Sequence, residues 1–351
     1  MHTSRRRSKP SIMQKLVMLS SWLGAFAAVT GALLLSSVQT HGAVALSQEE
    51  LINEAKKEGR LAFYASGTAE QTTMFLDAFR AKYPFIKTEY YRTGKTALLN
   101  RVLIENQAKK VVADAIQSSV IELNLAKKGG ALGKYIPNEG KDYPSNYKDP
   151  EGFWTTMFIS SNLLAYNTRQ VAKADAPKNY DDLLHPKWKG MIGIDSNKIE
   201  WFGTLMNMKG RAFMEKLAEQ KPQIRDGNQL LLNLLTAGEY PLAAAAYEYS
   251  IEALKQKSAP VDWVALEPVI VYPAGIAMTS QAPHPFTGRL FVEFMLSKEG
   301  QEVVNKYGRI PVRKDVDSKY GGLLGKFKLL MTDIELGQKS AELHKELRRL
   351  F

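Results

Sequence analysis

The chain has 351 residues, of which 45% are hydrophobic and 24% are charged, an ordinary globular composition with enough length for two lobes. It contains no cysteine, so disulfides, thiolate metal sites, thiol nucleophiles and the lipid-attachment cysteine of a lipoprotein are excluded. The formal net charge of +11 falls to +6 once the first 45 residues are set aside, and no Lys/Arg block with interleaved aromatics indicates nucleic-acid binding.

The first 45 residues have the pattern of an export signal. Basic residues between Arg5 and Lys15 precede an uncharged, largely apolar run over 16–38, and Ala43-Val44-Ala45 supplies a small-x-small cleavage site. The run is also long enough to span a bilayer, so an uncleaved membrane anchor is the alternative. We expect a cleaved signal peptide over 1–45 and a periplasmic protein, exported by the general or the twin-arginine route.

From Ser47 onward, helical and strand-like segments alternate. Alternation of this kind predicts a largely parallel sheet, in which ligands bind beyond the carboxyl ends of the strands. The predicted helices cover 48–58, 69–82, 95–109 and 121–127, and the predicted strands cover 60–65, 85–91 and 111–116.

Three of the predicted strand ends are small and polar: Ser66-Gly67-Thr68, Thr93-Gly94-Lys95-Thr96 and Ser118-Ser119. The Gly94-Lys95-Thr96 turn looks like the end of a phosphate-binding P-loop, but the first glycine of that motif would fall on Glu89. An ATP site is therefore disfavoured. A helix that begins after such a turn can still bind an anion through its free N–H groups, although the glycine alone could simply form the turn.

A second α/β unit follows a polar interval. A long strand over 153–167 is typical of a crossing between lobes, and a strand over 191–194 ends in Asp195-Ser196-Asn197. Further strands are predicted over 240–246, leading into Tyr247-Glu248-Tyr249, and over 261–271, with a return crossing over 272–280. The remaining predicted helices cover 199–208, 210–219, 226–236, 248–257, 285–296 and 298–307, and a basic amphipathic tail begins at 321.

Several segments resemble the periplasmic ferric-ion-binding proteins, the solute receptors of bacterial iron ABC importers. The resemblance lies in P-K-W-K-G-M-I-G at 186–193, G-E-Y-P at 238–241, F-V-E-F-M-L-S-K-E-G-Q-E at 291–302 and the Gly94-Lys95-Thr96 turn, and it covers 61–312. It implies a two-lobed α/β periplasmic-binding-protein fold (type II), each lobe a mostly parallel sheet flanked by helices, with two crossing strands between them. The first lobe would comprise 46–157 and 275–320, the second 158–274, and the tail 321–351.

The resemblance also implies a ligand. Ferric iron is the leading expectation, but the family's histidine after the first strand falls on Thr68 here, and its glutamate falls near Ser119. Its pair of adjacent tyrosines corresponds to Tyr247 followed by Glu248. These two side chains could supply hard oxygen ligands, with Tyr249 or Tyr64 as a third and an anion completing the set. Tyr247 could instead be an aromatic wall of the cleft.

The competing expectation is a small anionic or polar organic solute, such as a phosphonate or carboxylate. Hydroxyls and amides would bind it, Lys95 or Lys198 would supply charge, and Trp201 or Tyr247 a stacking wall, unless Trp201 belongs to the core. The candidate ligand-binding residues are Tyr64, Ser66, Gly67, Thr68, Gly94, Lys95, Thr96, Ser118, Ser119, Ser196, Asn197, Trp201, Tyr247 and Glu248.

Catalytic motifs are absent from the sequence. It has no H-E-x-x-H, no G-x-S-x-G and no S-x-x-K with K-T-G, and we predict no catalytic residue and no firm cofactor. The expected partners are the solute or metal ion and the membrane subunits of an ABC importer, with the receptor itself a monomer that does not bind nucleic acid. A secreted hydrolase without a recognisable motif is the remaining alternative.

Overall fold

The computed structural model describes residues 46–141, 143–318 and 326–351. The predicted signal peptide and the start of the predicted tail lie outside the described residues. Within the described part, no helix combines the length and apolar character needed to cross a membrane.

Helices and strands alternate through most of the described chain. The helices, numbered α1 to α11 in chain order, are Gln48–Glu58, Ala69–Lys82, Lys95–Gln107, Val120–Lys128, Ile199–Lys209, Arg211–Glu219, Asn228–Ala237, Glu248–Gln256, Pro285–Leu296, Lys298–Lys306 and Ser340–Leu350. The strands, numbered β1 to β12, are Arg60–Ala65, Lys87–Arg92, Ala115–Ser119, Leu132–Gly133, Thr155–Asn167, Ile192–Asp195, Gln223–Arg225, Leu242–Tyr247, Val261–Val264, Val269–Thr279, Ile310–Pro311 and Leu329–Met331.

The sheet has two halves joined by two long strands. Its described strands follow the order β2-β1-β3-β10-β5-β8-β6-β7. β1 is parallel to β2 and β3, and β6 is parallel to β7 and β8. β10 and β5 run antiparallel to each other, and each is antiparallel to the half of the sheet that it borders. The predicted two-lobed α/β fold, with parallel strands in each lobe and two crossing strands, is confirmed, whereas the exact lobe boundaries stay a prediction.

Local sequence explains how the elements begin and pack. Ser47 and Glu50 form a capping box at the start of α1, and Gly59 ends that helix in the left-handed region at φ 62°. In the first lobe, Phe63 of β1 packs edge-on against Phe291 of α9 with ring centroids 4.7 Å apart. In the second lobe, a Cβ on Gly193 would lie 2.5 Å from the Tyr240 ring, so this close approach requires glycine. Gly193 ends the 186–193 segment that carries the family resemblance.

The C-terminal segment contacts both lobes and a crossing strand. β12 pairs with the start of β10, and Glu335 then pairs with Lys128 of α4 at 2.8 Å. α11 packs on α5 and α6, where Leu343 is buried and Arg211 lies 2.6 Å from Glu346. The amphipathic pattern of the tail is therefore explained by a helix whose apolar face covers the second lobe.

The predicted boundary between the second lobe's late strand and the return crossing is wrong. A single strand over 261–271 does not form, because β9 ends at Val264 and the crossing strand β10 begins at Val269. Pro268 lies between them and has no N–H to donate to a strand ladder. The short strands β4, β7, β11 and β12 were not predicted, since two or three residues are too few to establish an alternating pattern.

Candidate ligand-binding site

A cavity of about 270 Å³ lies where the parallel strands of both lobes end and the crossing strands pass. The residues that follow β1 line it, together with the last residues of β2, β3 and β8. This is the position at which open parallel sheets bind ligands. The lining residues are Ser66, Gly67, Thr68, Gln71, Arg92, Lys95, Gln117, Ser119, Phe158, Tyr247, Tyr249, Tyr272, Ala274 and Arg309.

Four helices begin at the cavity. Thr68 and Ser119 are the N-caps of α2 and α4, and their hydroxyls each accept a hydrogen bond from a backbone N–H of the first turn. Gly94 and Tyr247 are the N-caps of α3 and α8 and provide no side-chain cap. Backbone N–H groups at such termini, together with the positive end of the helix dipole, favour an anion.

Three cationic side chains line the cavity: Arg92, Lys95 and Arg309. Among the described residues that line it there is no Asp or Glu. Arg92 is exposed, and its Nε donates to the carbonyl oxygen of Gly67 at 2.8 Å, which leaves other guanidinium N–H groups for a ligand. The lining is therefore rich in positive charge and in hydrogen-bond donors.

Arg309 is held rigidly at the base of the cavity. Its Nη1 donates to Ser160 Oγ at 3.1 Å and its Nη2 donates to Gln71 Oε1 at 2.9 Å. The guanidinium lies over the ring of Tyr249, 3.5 Å from the ring centroid. Arg309 Nε has no hydrogen-bond partner within the described chain. Such a fixed cation costs little further entropy when it binds an anion.

Aromatic rings form one wall. The rings of Tyr247 and Tyr249 are stacked, with their centroids 5.4 Å apart and 19° between their planes. The ring centroid of Tyr272 lies 5.6 Å from that of Tyr247. Burial raises the pKa of Tyr272 to about 12 and that of Tyr247 well above its usual range. Without a metal ion both phenols are therefore neutral and act as hydrogen-bonding and stacking groups near neutral pH.

The structure brings together six of the predicted ligand-binding residues around this cavity. They are Ser66, Gly67, Thr68, Lys95, Ser119 and Tyr247. Tyr249, considered from sequence as a third metal ligand, also lines the cavity.

Other predicted residues on strands of the first lobe do not reach the cavity, because side chains alternate along a strand. Tyr64 is buried beneath α3, where its hydroxyl donates to Glu105 at 2.8 Å and burial raises its pKa to about 12. Ser118 is buried, whereas its neighbours Gln117 and Ser119 on the other face of β3 line the cavity.

Glu248, predicted as a metal ligand beside Tyr247, faces away from the cavity. It is fully buried, and its Oε2 accepts from the N–H of Ser161 at 2.6 Å and from Ser161 Oγ at 3.0 Å. Burial raises the pKa of Glu248 to about 7, although Arg309 opposes this rise. Glu248 is thus hydrogen-bonded to the crossing strand β5, and it is not part of the cavity lining.

The predicted charge and stacking groups of α5 are buried. Lys198 Nζ lies 2.7 Å from the centroid of the Tyr247 ring and donates to Asn162 Oδ1 at 3.0 Å, and burial lowers its pKa well below the usual value. It supports Tyr247 from behind without lining the cavity. Trp201 is 3% exposed and belongs to the core of the second lobe.

The remaining predicted residues are absent from the lining of the ligand cavity. Gly94 shapes the start of α3 but is not in the lining, and Thr96 lines a separate cavity of about 140 Å³. The loop after β6 is tied to its neighbour, since Asn197 Nδ2 donates to Asp226 Oδ1 at 2.7 Å and the Ser196 N–H donates to the Arg225 carbonyl at 2.9 Å.

Seven lining residues were not predicted from the sequence: Gln71, Arg92, Gln117, Phe158, Tyr272, Ala274 and Arg309. Period-two alternation in β3 pairs Gln117 with Ser119 and could have selected it. The position of Arg92 as the last residue of β2 gives a similar signal. No local motif identifies Arg309, because it reaches the cavity only through tertiary packing after α10.

Metal binding at this cavity would depend on phenol oxygens. Among the described residues, no group of three or more His, Cys, Asp or Glu side chains is placed to hold a metal ion. Tyr247, Tyr249 and Tyr272 could together supply three hard oxygen ligands once deprotonated, and the cations nearby could bind an accompanying anion.

Known proteins share the sequence pattern and the fold of this chain. A family model described as bacterial extracellular solute-binding protein matches residues 105–321, more than half of the chain. A protein of Sinorhizobium fredii named "Probable ABC transporter periplasmic-binding protein y4fP" is 33% identical over 125 residues, which are 34% of this chain and 33% of that relative. The match thus spans about a third of the curated relative's own length.

Two solved structures share the fold. Iron-bound HitA from Pseudomonas aeruginosa aligns with a TM-score of 0.74 and 22% identity over 82% of this chain and 99% of that one. AfuA from Actinobacillus pleuropneumoniae, with exogenous fructose-6-phosphate bound, aligns with a TM-score of 0.70 and 22% identity over 82% and 97%. At this identity the likeness shows the fold alone. With the family match, it confirms the resemblance predicted from sequence: the chain belongs to the bacterial extracellular solute-binding protein family.

Proposed function

We propose that the protein is a periplasmic receptor that captures a small organic anion in the cavity between its lobes and delivers it to an ABC importer. Ser66, Gly67, Thr68, Lys95, Ser119 and Tyr247, joined by Arg92, Gln117, Tyr249, Tyr272 and Arg309, form the ligand site. The receptor acts as a monomer after removal of its signal peptide, and its partners are the anion and the membrane subunits of the importer.

The observation that carries the proposal is the charge of the cavity. Arg92, Lys95 and Arg309 line it without a lining carboxylate in the described chain, and the N-termini of four helices converge on it. A carboxylate or phosphate group satisfies guanidinium forks and free backbone N–H groups together. Outside the lining, Glu122 and Glu200 pair with Lys95, and Glu248 is close enough to Arg309 for its pKa to respond to that cation. Arg92 has no carboxylate partner within the described chain, and this guanidinium would repel a bare cation.

The rest of the ligand is expected to be small and to carry hydrogen-bonding groups. The cavity volume of about 270 Å³ is slightly below the usual range of about 300 to 1,000 Å³ for small-molecule sites. Lys198 and Arg309 already lie over the rings of Tyr247 and Tyr249, which also stack on each other, so the tyrosines offer hydroxyls and ring edges. Ser66 and Gln117 offer further polar groups. The structural neighbour AfuA was solved with a sugar phosphate, a ligand of this general chemistry.

Ferric iron together with an anion is the second candidate. It is supported by the three phenols, Tyr247, Tyr249 and Tyr272, on one wall and by the iron-bound state of the structural neighbour HitA. In this alternative the phenols bind the metal as phenolates, against the raised pKa of Tyr247 and Tyr272, and the cations hold the accompanying anion.

A thermal-shift assay separates the two candidates. The purified protein is melted with inorganic phosphate, fructose 6-phosphate, citrate without metal, and ferric citrate. A probe at a hundredfold excess over its dissociation constant stabilises the folded state by about 3 kcal/mol. Stabilisation by a metal-free anion supports the anion receptor. Stabilisation by ferric citrate alone, with a visible phenolate-to-iron band that Tyr247→Phe removes, contradicts it in favour of the iron receptor.

A further inference from the structure

Three charged side chains join the two lobes at the edge of the cavity. Lys95 begins α3 and Glu122 lies on α4, both in the first lobe, whereas Glu200 lies in the first turn of α5 in the second lobe. Lys95 Nζ is 3.8 Å from a carboxylate oxygen of Glu122 and forms an ion pair with Glu200. We refer to these three residues as the interlobe triad. The side chains of Glu122 and Glu200 are only 10% and 13% exposed, so water screens the triad incompletely.

The triad separates two cavities. Lys95 lines the ligand cavity, while Glu122 and Glu200 line the second, smaller cavity of about 140 Å³. The walls of the smaller cavity come from both lobes and from the C-terminal segment, with Leu99, Ile121, Leu125, Ile199, Leu336 and Leu343 as its apolar members. Apolar contact between the lobes is therefore incomplete at this point, because atoms facing a void have no partner there. The ion pair becomes correspondingly important for holding the lobes together.

A continuous set of contacts leads from the ligand cavity to the second lobe. Ser119 lines the cavity, and its hydroxyl donates to Glu122. Glu122 and Glu200 both face the ammonium of Lys95, which has three N–H donors and can retain both carboxylates while it also binds a ligand. A ligand that contacts Ser119 and Lys95 thus acts on groups whose position depends on Glu200.

We propose that Glu200 is a positioning residue for anion capture. It pairs with Lys95 across the cleft when the lobes are together, which favours the closed arrangement and holds the ammonium at the edge of the ligand cavity. Opening about the crossing strands β5 and β10 separates the two side chains, because they belong to different lobes. This inference rests on the proposed function for the identity of the ligand, but the closing contact itself does not need a ligand.

The first test measures lobe separation without ligand. Because the chain has no cysteine, Ala81→Cys on α2 and Ala212→Cys on α6 give two exposed labelling sites, one on each lobe, for nitroxide distance measurements. Glu200→Gln should increase the ratio of long to short distances about 3- to 10-fold, the range for a partly shielded ion pair. Glu89→Gln, which breaks an exposed ion pair within the first lobe, is the matched control and should leave the distances unchanged.

Lys95→Gln and the double variant complete the cycle. Lys95→Gln alone should shift the distances at least as far as Glu200→Gln does, because it also leaves Glu122 and Glu200 without the cation between them. Adding Glu200→Gln to Lys95→Gln should cause no further opening, because the pair between the lobes is already absent. Distances in Glu200→Gln that match the unsubstituted protein, or full additivity of the two changes, would overturn the proposal. These results are independent of the ligand, so they decide the inference even if every anion probe fails to bind.

The second test uses ligand release. With fructose 6-phosphate or citrate as the probe, Glu200→Gln should raise the dissociation rate constant about 3- to 10-fold and leave the association rate constant nearly unchanged, since all lining side chains remain. A purely structural role for Glu200 would lower the melting temperature without this separation of rates. Equal dissociation rates in Glu200→Gln and the unsubstituted protein would contradict the assignment.

Discussion

The buried carboxyl group of Glu248 makes the stability of the folded protein depend on pH. Replacing it by glutamine removes the ionisable group and keeps its shape, and the amide oxygen can still accept from the Ser161 N–H. Any hydrogen bond lost in Glu248→Gln should change the free energy of unfolding by the same amount at every pH. The part of the change that depends on pH therefore reports the ionisation of Glu248.

The size of the pH-dependent change in stability follows from the pKa of Glu248. Burial raises the pKa of Glu248 from 4.5 to about 7, so the folded protein binds a proton more tightly than the unfolded chain does. The free energy of unfolding consequently falls as the pH rises through this window and is lower by a constant amount above it. At about 1.4 kcal/mol per pKa unit, the full effect is about 3 kcal/mol, and most of it lies between pH 5 and pH 8.

Urea unfolding at pH 5 and pH 8 measures this difference. The stability of Glu248→Gln relative to the unsubstituted protein should be higher at pH 8 than at pH 5, by about 2 to 3 kcal/mol. Glu302→Gln on the exposed face of α10 is the control, and its effect on the free energy of unfolding should be the same at pH 5 and pH 8. Equal effects of Glu248→Gln at the two pH values would refute the reasoning, because the buried carboxyl would then ionise as it does in the unfolded chain.

Two further changes test packing and the site boundary. Leu343→Ala should lower the free energy of unfolding by about 2 to 4 kcal/mol in urea, because Leu343 is buried between α11 and the second lobe, and a loss below about 0.5 kcal/mol would contradict that packing. Tyr64→Phe removes the hydrogen bond to Glu105 and should cost about 1 kcal/mol of stability without weakening ligand binding in calorimetry. A tenfold loss of affinity would instead place Tyr64 in the ligand site.

Residues with a local signal could be predicted from the sequence. Thr68 and Ser119 follow strands and cap helices, and both properties are written in neighbouring residues. The alternation of helices and strands predicted a largely parallel sheet, whereas the two lobes and the position of Tyr247 in the site were implied by the family resemblance. Strand ends, helix caps and the alternation of elements depend on interactions that span only a few residues along the chain.

Side chains that only the tertiary structure positions could not be predicted from local sequence. Arg309 reaches the cavity because Ser160 and Gln71, distant in sequence, fix its guanidinium. Glu248 follows Tyr247 directly, yet it begins α8 and turns toward Ser161 on the crossing strand. Glu248 occupies the position of a metal-binding tyrosine in the family, but that position alone did not determine the direction of its side chain.

The C-terminal segment illustrates a similar limit. Its amphipathic pattern indicated that one face is covered but did not identify the covering surface. In the structure, Leu336 and Leu343 pack against Gly203 of α5, where a Cβ would lie 3.1 Å from each leucine. Glu335 binds Lys128 in the other lobe at 2.8 Å. Only the tertiary structure shows that this segment touches both sides of the cleft.

The most direct test of the proposed function compares anion affinity in Arg92→Met and Arg80→Met by isothermal titration calorimetry with fructose 6-phosphate and citrate. Arg92 is exposed and lines the cavity, whereas Arg80 is an exposed arginine of α2 outside it, so both variants should fold. Loss of a charge-assisted hydrogen bond predicts an affinity about 10- to 100-fold lower for Arg92→Met alone. Equal affinities in the two variants, or binding only of the ferric complex of citrate, would contradict a cavity built to hold an organic anion.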